Sequence, residues 1–286
     1  MSITISQTTV KQILTRCSGY LTEISTHSLQ PYRGCSFGNS LCGVGCYVQH
    51  NPFVTRGRDW GSFLEVRTNA AEIYLKTAQR EQSWAHRSQR AFSIFCSSST
   101  DPFVPQEKRF GITKSLLEAM LVFPPDQLIL QTHSTGILNV LEQIKRLKQV
   151  IDLRVHVSIE SDYDRLQGLP PPAASVFNRL ETCKILKHMG IPVTVTVAPL
   201  LPIEHPQQFF MAIETAADGV IIDHFIGGDG SRNGNRTRKT ALYKAMWEVN
   251  PNSVTIEYRK QIIEIARQIM PGRVGVGSSG FAGHRQ

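Results

Sequence analysis

From residue 88 onward, short runs of Val, Ile and Leu alternate with longer stretches whose apolar residues return every three or four positions. The short runs predict strands at RAFSIFC (90–96), QLILQT (127–132), LRVHVSI (153–159), PVTVTVAPL (192–200) and DGVIIDHFI (218–226). The longer stretches predict helices over Pro105–Phe123, Ile137–Val150, Ser175–Met189, Pro206–Ala217 and Thr255–Met270. In the first of these, Ile112, Leu116, Leu117, Met120 and Leu121 fall on one side. Gly190 follows the third as a natural helix stop. An earlier strand near Ser28–Arg33 and a helix over Asn69–Gln82 complete the set. Strands apolar on both faces, alternating with helices, indicate a parallel sheet covered by helices. About six βα units are expected, and such units form a full barrel, a partial barrel or an open doubly wound sheet. Residues 1–27 read as a leader packing on a domain over 28–226, and 227–286 as a basic Gly-rich loop and a C-terminal helix.

In any of these architectures, sites lie at the carboxyl ends of the strands. Those ends are polar here: Cys96 with Ser97–Asp101, then Thr132, His133 and Ser134, then Ser158, Glu160, Ser161 and Asp162, and finally His224. Short hydroxyl and acidic residues at such places also cap the helices that follow.

The six cysteines stand at 17, 35, 42, 46, 96 and 183, three of them within twelve residues. This clustering suits a metal better than a spread disulfide framework. The segment PYRGCSFGNSLCGVGCYVQH (31–50) spaces them C-x6-C-x3-C. Soft thiolates serve iron–sulfur clusters or zinc. Three cysteines on one loop can hold three irons of a [4Fe–4S] cube and leave the fourth open. Gly34, Gly38, Gly43 and Gly45 would let the backbone wrap such a cube. Adding His50 gives a Cys3His set, the alternative of a zinc-binding RNA- or DNA-binding protein with no radical chemistry.

Charge and composition narrow the partners. The net charge is +8, which permits an anionic partner such as nucleic acid. Arg232, Arg236, Arg238 and Lys239 gather in GGDGSRNGNRTRK (227–239), which reads as a solvated loop or a phosphate-contacting one. No eighteen apolar residues run together, so no membrane partner is expected. The start lacks a secretory pattern, and a cytoplasmic location is expected.

With these residues laid out, the chain resembles the spore photoproduct lyase-like ("DNA repair photolyase") branch of the radical S-adenosylmethionine (SAM) superfamily. Four stretches between Pro31 and Leu201 carry the resemblance: PYRGC with Tyr47, SSSTDPFVPQE (97–107), VHVSIESDYDRL (155–166) and PPPAASVFNRL…LKHMGIPVTVTVAPLLP (170–202). Two features depart from it. The branch usually spaces its cysteines C-x3-C-x2-C, and it often has Lys where this chain has His133.

The resemblance implies a partial (βα)6 barrel of parallel strands, with the cluster loop at the carboxyl edge of the sheet. Cys35, Cys42 and Cys46 would ligate a [4Fe–4S] cluster whose open iron chelates SAM. Reductive cleavage would yield a 5′-deoxyadenosyl radical. Ser98, Ser99 and Thr100 would hold the SAM amino group, Thr132 and His133 would lie near its carboxylate, Ser158 and Glu160 near the ribose, and Ala198 and Pro199 against the adenine. Cys96 would either donate a hydrogen atom to a product radical or stand as a buried small hydrophobe. The implied activity is that of a lyase or related enzyme, with a flavodoxin or ferredoxin as electron donor; its substrate stays open between a base or lesion in nucleic acid and a peptide or small metabolite.

Overall fold

The computed structural model describes residues 3–286. Its main sheet has seven parallel strands in the order β3 (His27–Leu29), β6 (Ser93–Cys96), β7 (Gln127–Thr132), β8 (Asp152–Ser158), β9 (Val193–Val197), β10 (Gly219–Ile222) and β11 (Val274–Val276). An antiparallel strand, β2 (Leu14–Arg16), flanks β3. The sheet does not close, because β2 and β11 stand at its two ends without pairing each other. The architecture is therefore the expected partial barrel, extended by a short seventh parallel strand. The sequence hid β11 because three residues containing a glycine carry little strand signal. Gly275 is needed there: a Cβ would stand 2.7 Å from the Gly280 Cα.

Helices link the strands: α1 (Ala70–Arg87), α2 (Ile112–Val122), α3 (Leu141–Lys148), α4 (Val176–His188), α5 (Pro206–Ala216), α6 (Ala241–Val249) and α7 (Ile256–Ile269). Two expected elements are broken. The helix expected over Pro105–Phe123 splits at Gly111, whose φ of +61° is left-handed, into a turn over Glu107–Phe110 and α2. The strand expected over Ser28–Arg33 splits at Pro31, which has no N–H for a ladder. Its second half, β4 (Tyr32–Gly34), leaves for a three-stranded sheet with β5 (Phe63–Arg67) and β1 (Thr4–Thr8). That switch starts the cysteine loop over the barrel mouth.

Strand alternation sorts side chains onto two faces. Ile94, Leu128, Leu130, Val155, Val157, Val195 and Val197 pack outward with Leu116, Leu117 and Phe210 of the helices. Phe95, Ile129 and Ile221 face inward with Ile24 and Phe281. Between them the inner face is polar. Ser158 and Thr196 share a hydroxyl hydrogen bond at 2.9 Å, and Arg285 donates to Thr194 Oγ1 at 2.7 Å.

His156 lies on this inner face against Phe281, and its Nδ1 is buried without a partner. Burial, reinforced by Arg285 and Arg154, lowers its imidazole from 6.5 to about 3. The fold therefore keeps the ring neutral. Its contribution is complete above about pH 6.5 and is lost as the pH falls from there toward about 3. By about pH 5 the linkage amounts to about 2 kcal/mol. Urea unfolding at pH 7 and pH 5 should show His156→Gln losing about that much less than the parent over the same interval. Equal losses would show that His156 does not set the acid limb.

Candidate cofactor site

The cysteine loop follows Gly34, whose φ is +78°, and folds through three short turns over Ser36–Asn39, Leu41–Val44 and Tyr47–His50. Backbone packs directly on backbone within it. A Cβ on Gly43 would stand 2.1 Å from the Gly38 carbonyl oxygen, and one on Gly38 would stand 2.5 Å from the Gly61 Cα. A Cβ on Gly45 would strike Leu242 of α6 at 2.3 Å. The glycines thus let the loop double back and seat on its neighbours, turning Cys35, Cys42 and Cys46 into one cavity of about 440 Å³.

The opposite walls come from the strand ends: Ser97–Asp101 after β6, Gln131 and His133 at β7, Ala198 and Pro199 after β9, and Asp223 after β10. Tyr20 reaches in from the N-terminal segment and donates to Asp223 Oδ2 at 3.2 Å. The segment after β6 is tied in place. Gln30 donates to Ser98 Oγ at 2.8 Å, and Tyr47 Oη donates to the Ser98 carbonyl. Thr100 Oγ1 is buried at the wall with no partner among the described residues, so a ligand group can complete it.

The three cysteines fit an iron–sulfur cluster. Burial pushes all three thiols above their ordinary value, Cys46 to about 12, and the charge of Cys42 adds to the rise at Cys35. Three thiolates gathered in such a place call for a strongly positive centre. They face one cavity. A [4Fe–4S] cluster takes three thiolates and leaves one iron open, whereas a structural zinc needs a fourth protein ligand. His50, the fourth ligand of the Cys3His alternative, lines a different recess beside Arg236 and Lys239.

Of the remaining expected residues, Ser98, Ser99, Thr100, His133, Ala198 and Pro199 line the cavity. Thr132, Ser158 and Glu160 stand behind the wall. Thr132 Oγ1 donates to Asp101 at 2.8 Å, and Ser158 is engaged with Thr196. Glu160 is 2.8 Å from Arg179 and 3.0 Å from His133 Nε2, so both its oxygens face basic side chains. Burial alone would raise the Glu160 carboxyl, but Arg179 and His133 hold it down at about 2. Burial disfavours a charged His133, yet Cys42, Asp101 and Glu160 outweigh it and raise the imidazole well above its ordinary value.

Phe95 takes the inward position beside Cys96, so Cys96 faces the helix layer at 2 % exposure, where burial pushes its thiol to about 12. It is not among the residues lining the cavity and sits as a buried small hydrophobe would. His224 uses both ring nitrogens on backbone, at Ser253 and Ile226, as a structural histidine does. The reading of the sequence placed Asp101 at a strand end without a role, and singled out neither Gln30 nor Arg179. Asp101 stands inside the quoted Thr-Asp-Pro stretch, and Arg179 on a helix read only for its apolar face.

No protein-family profile matches the chain. An uncharacterized protein of Acidianus two-tailed virus is 27% identical over 176 residues, 59% of this chain and 54% of that relative, so the match spans about half the relative's length. Among solved structures, a spore photoproduct lyase variant with bound AdoMet and dinucleoside spore photoproduct superposes with a TM-score of 0.63 at 14% identity, covering 96% of this chain and 81% of that one. Spore photoproduct lyase complexed with dinucleoside spore photoproduct gives 0.64 at 13% identity, over 96% and 81% of the two chains. The chain therefore shares the fold of spore photoproduct lyase.

Proposed function

We propose that this chain is a radical SAM enzyme. The observation that carries the reading is the convergence of Cys35, Cys42 and Cys46 on one cavity at the carboxyl edge of a parallel sheet, in a fold shared with an AdoMet-bound enzyme. A [4Fe–4S] cluster held by the three thiolates supplies, when reduced, the electron that cleaves SAM to methionine and a 5′-deoxyadenosyl radical. The chain's own residues bind and orient. Ser98, Ser99 and the unpartnered Thr100 hydroxyl accept from the SAM amino group. His133 offers positive charge to its carboxylate where relatives often use Lys. Ala198 and Pro199 give the adenine an apolar edge. Phe95, Leu21, Ile24 and Phe281 keep the cavity floor apolar, which excludes water from a reactive carbon centre.

A nucleic-acid substrate fits the surroundings of the mouth. Asp229, Gly230 and Thr237 of the basic loop line the cavity, while Arg232, Arg238 and Lys239 of the same loop are exposed. Such cations meet phosphates, and a paired base would have to leave its stack to reach the cavity. A small carrier of the flavodoxin or ferredoxin kind would deliver the electron. Among the described residues no helix is long and apolar enough to cross a membrane.

Protein purified without oxygen is expected to be brown and to carry about four irons and matching sulfide per chain. A colourless protein with one zinc would sink the proposal. The same preparation, titrated with DNA at two salt concentrations, should bind more weakly at the higher one. Absence of binding even at low salt would remove nucleic acid as the substrate class and leave the cluster assignment standing.

A further inference from the structure

A chain of buried charges runs from α4 to the cavity wall. Arg179 is 2 % exposed, among the largest fully enclosed side chains of the protein. Its Nη1 donates to the Ser158 carbonyl at 2.6 Å and to Glu160 Oε2 at 2.8 Å. The other carboxylate oxygen, Glu160 Oε1, lies 3.0 Å from His133 Nε2. That contact is close but lacks hydrogen-bond alignment. On the far side, Asp101 accepts the His133 backbone N–H at 2.7 Å and both Thr132 and Phe103 at 2.8 Å. Asp101 Oδ2 is 3.6 Å from His133 Nδ1, too long for a hydrogen bond. Of the three side chains Arg179, Glu160 and His133, the imidazole alone meets the cavity. Nε2 is held toward Glu160, and the residue lines the cavity.

Burying an arginine in a protein core is costly unless its charge is matched. An apolar residue at position 179 would pack the helix against the sheet without that cost. What the guanidinium adds is orientation. It reaches across from the helix layer to the end of β8 and fixes the carboxylate that faces His133. We propose that Arg179 is a positioning residue: acting through Glu160, it holds the His133 ring at the cavity wall in the orientation that meets the carboxylate of SAM. The inference rests on the radical SAM reading, and it assigns Glu160 to His133 rather than to the ligand. It also explains how a shorter, stiffer histidine can serve where relatives often place a lysine. A lysine carries its charge on a flexible stem and finds its partner, whereas an imidazole must be aimed.

The test is a double-mutant cycle on SAM affinity, read by equilibrium dialysis with cluster-loaded protein. Iron content and thermal midpoint are followed for every variant. His133→Ala should weaken SAM binding by about tenfold or more, as expected for one hydrogen bond to a charged group. Arg179→Gln should weaken it comparably. The two changes together should be no worse than His133→Ala alone, because Arg179 acts only through the ring. Should Arg179→Gln fail to fold, Glu160→Gln interrupts the same chain while leaving the guanidinium an amide oxygen to bond, and it should show the same lack of additivity. A merely structural arginine would lower the thermal midpoint and give losses that multiply with His133→Ala; that result overturns the inference. A parent protein that carried iron yet bound no SAM would overturn it together with the radical SAM reading, whereas multiplying losses in a SAM-binding parent overturn it alone.

Discussion

Replacing Cys35, Cys42 or Cys46 by Ala is expected to abolish SAM cleavage and to leave well under one cluster per chain. Each thiolate is one of three, and among the described residues no other cysteine lines the cavity to replace it. Thiolates are also the only soft anionic donors there, and neighbouring hydroxyls cannot replace them. Each variant should still fold, because the loop is held by backbone packing on Gly61 and by Leu242 rather than by the sulfurs. Iron, sulfide and 5′-deoxyadenosine are the readouts, with circular dichroism as the control. Cys96→Ala is the informative contrast. Its thiol faces the helices, so cleavage should persist at a modest loss of stability. Full cleavage in any of the three loop variants would remove the radical reading. Lost cleavage in a folded Cys96→Ala protein would show that strand alternation had been misjudged there.

The second large effect is expected at a residue with no donor at all. Gly43→Ala keeps every cysteine, yet its methyl group would stand 2.1 Å from the Gly38 carbonyl oxygen and 2.4 Å from the carbonyl carbon. Both are backbone atoms and cannot swing aside as a side-chain tip could. Gly38 itself is backed by the Gly61 backbone, so the strain has no outlet in that direction. The loop must open, and Cys42 moves with it as the adjacent residue. Iron content should fall at least as far as in a ligand variant such as Cys42→Ala, while the barrel, whose core lies mostly outside the loop, keeps its thermal midpoint within a few degrees. The control is Gly57→Ala, where nothing lies within 4 Å and only the positive φ of +75° is disturbed. Normal iron in Gly43→Ala would mean that the loop has slack that its packing does not suggest.

Much of the architecture is legible as periodicity. Buried parallel strands such as VTVTV (193–197) carry continuous apolar or β-branched runs, and helices such as α4 begin at a capping Ser175 and stop before Gly190, with φ of +70°. These signals are local, involve neighbours in sequence, and need no knowledge of what packs against what. The weak elements were lost for the same reason. β11 has three residues, and α6 follows a Gly-rich loop whose Asp229 bonds with Ser231 and Thr237 only become visible in three dimensions.

The cysteine set could be read directly because its chemistry lies in residue type and lies within twelve positions. The direction of each side chain at a strand end could not. Whether Cys96 or Phe95 faces the cavity depends on the register of β6 against β3 and β7, and a shift by one residue would exchange them. Whether Glu160 meets a ligand or a protein cation depends on Arg179, nineteen positions later on a helix that the fold lays beneath the strand end. Residue identity and short-range pattern therefore settled the sheet, the helices and the three thiols. Orientation at the cavity waited for the tertiary structure, because it is set by partners distant in sequence and by burial that forces each charge to find one.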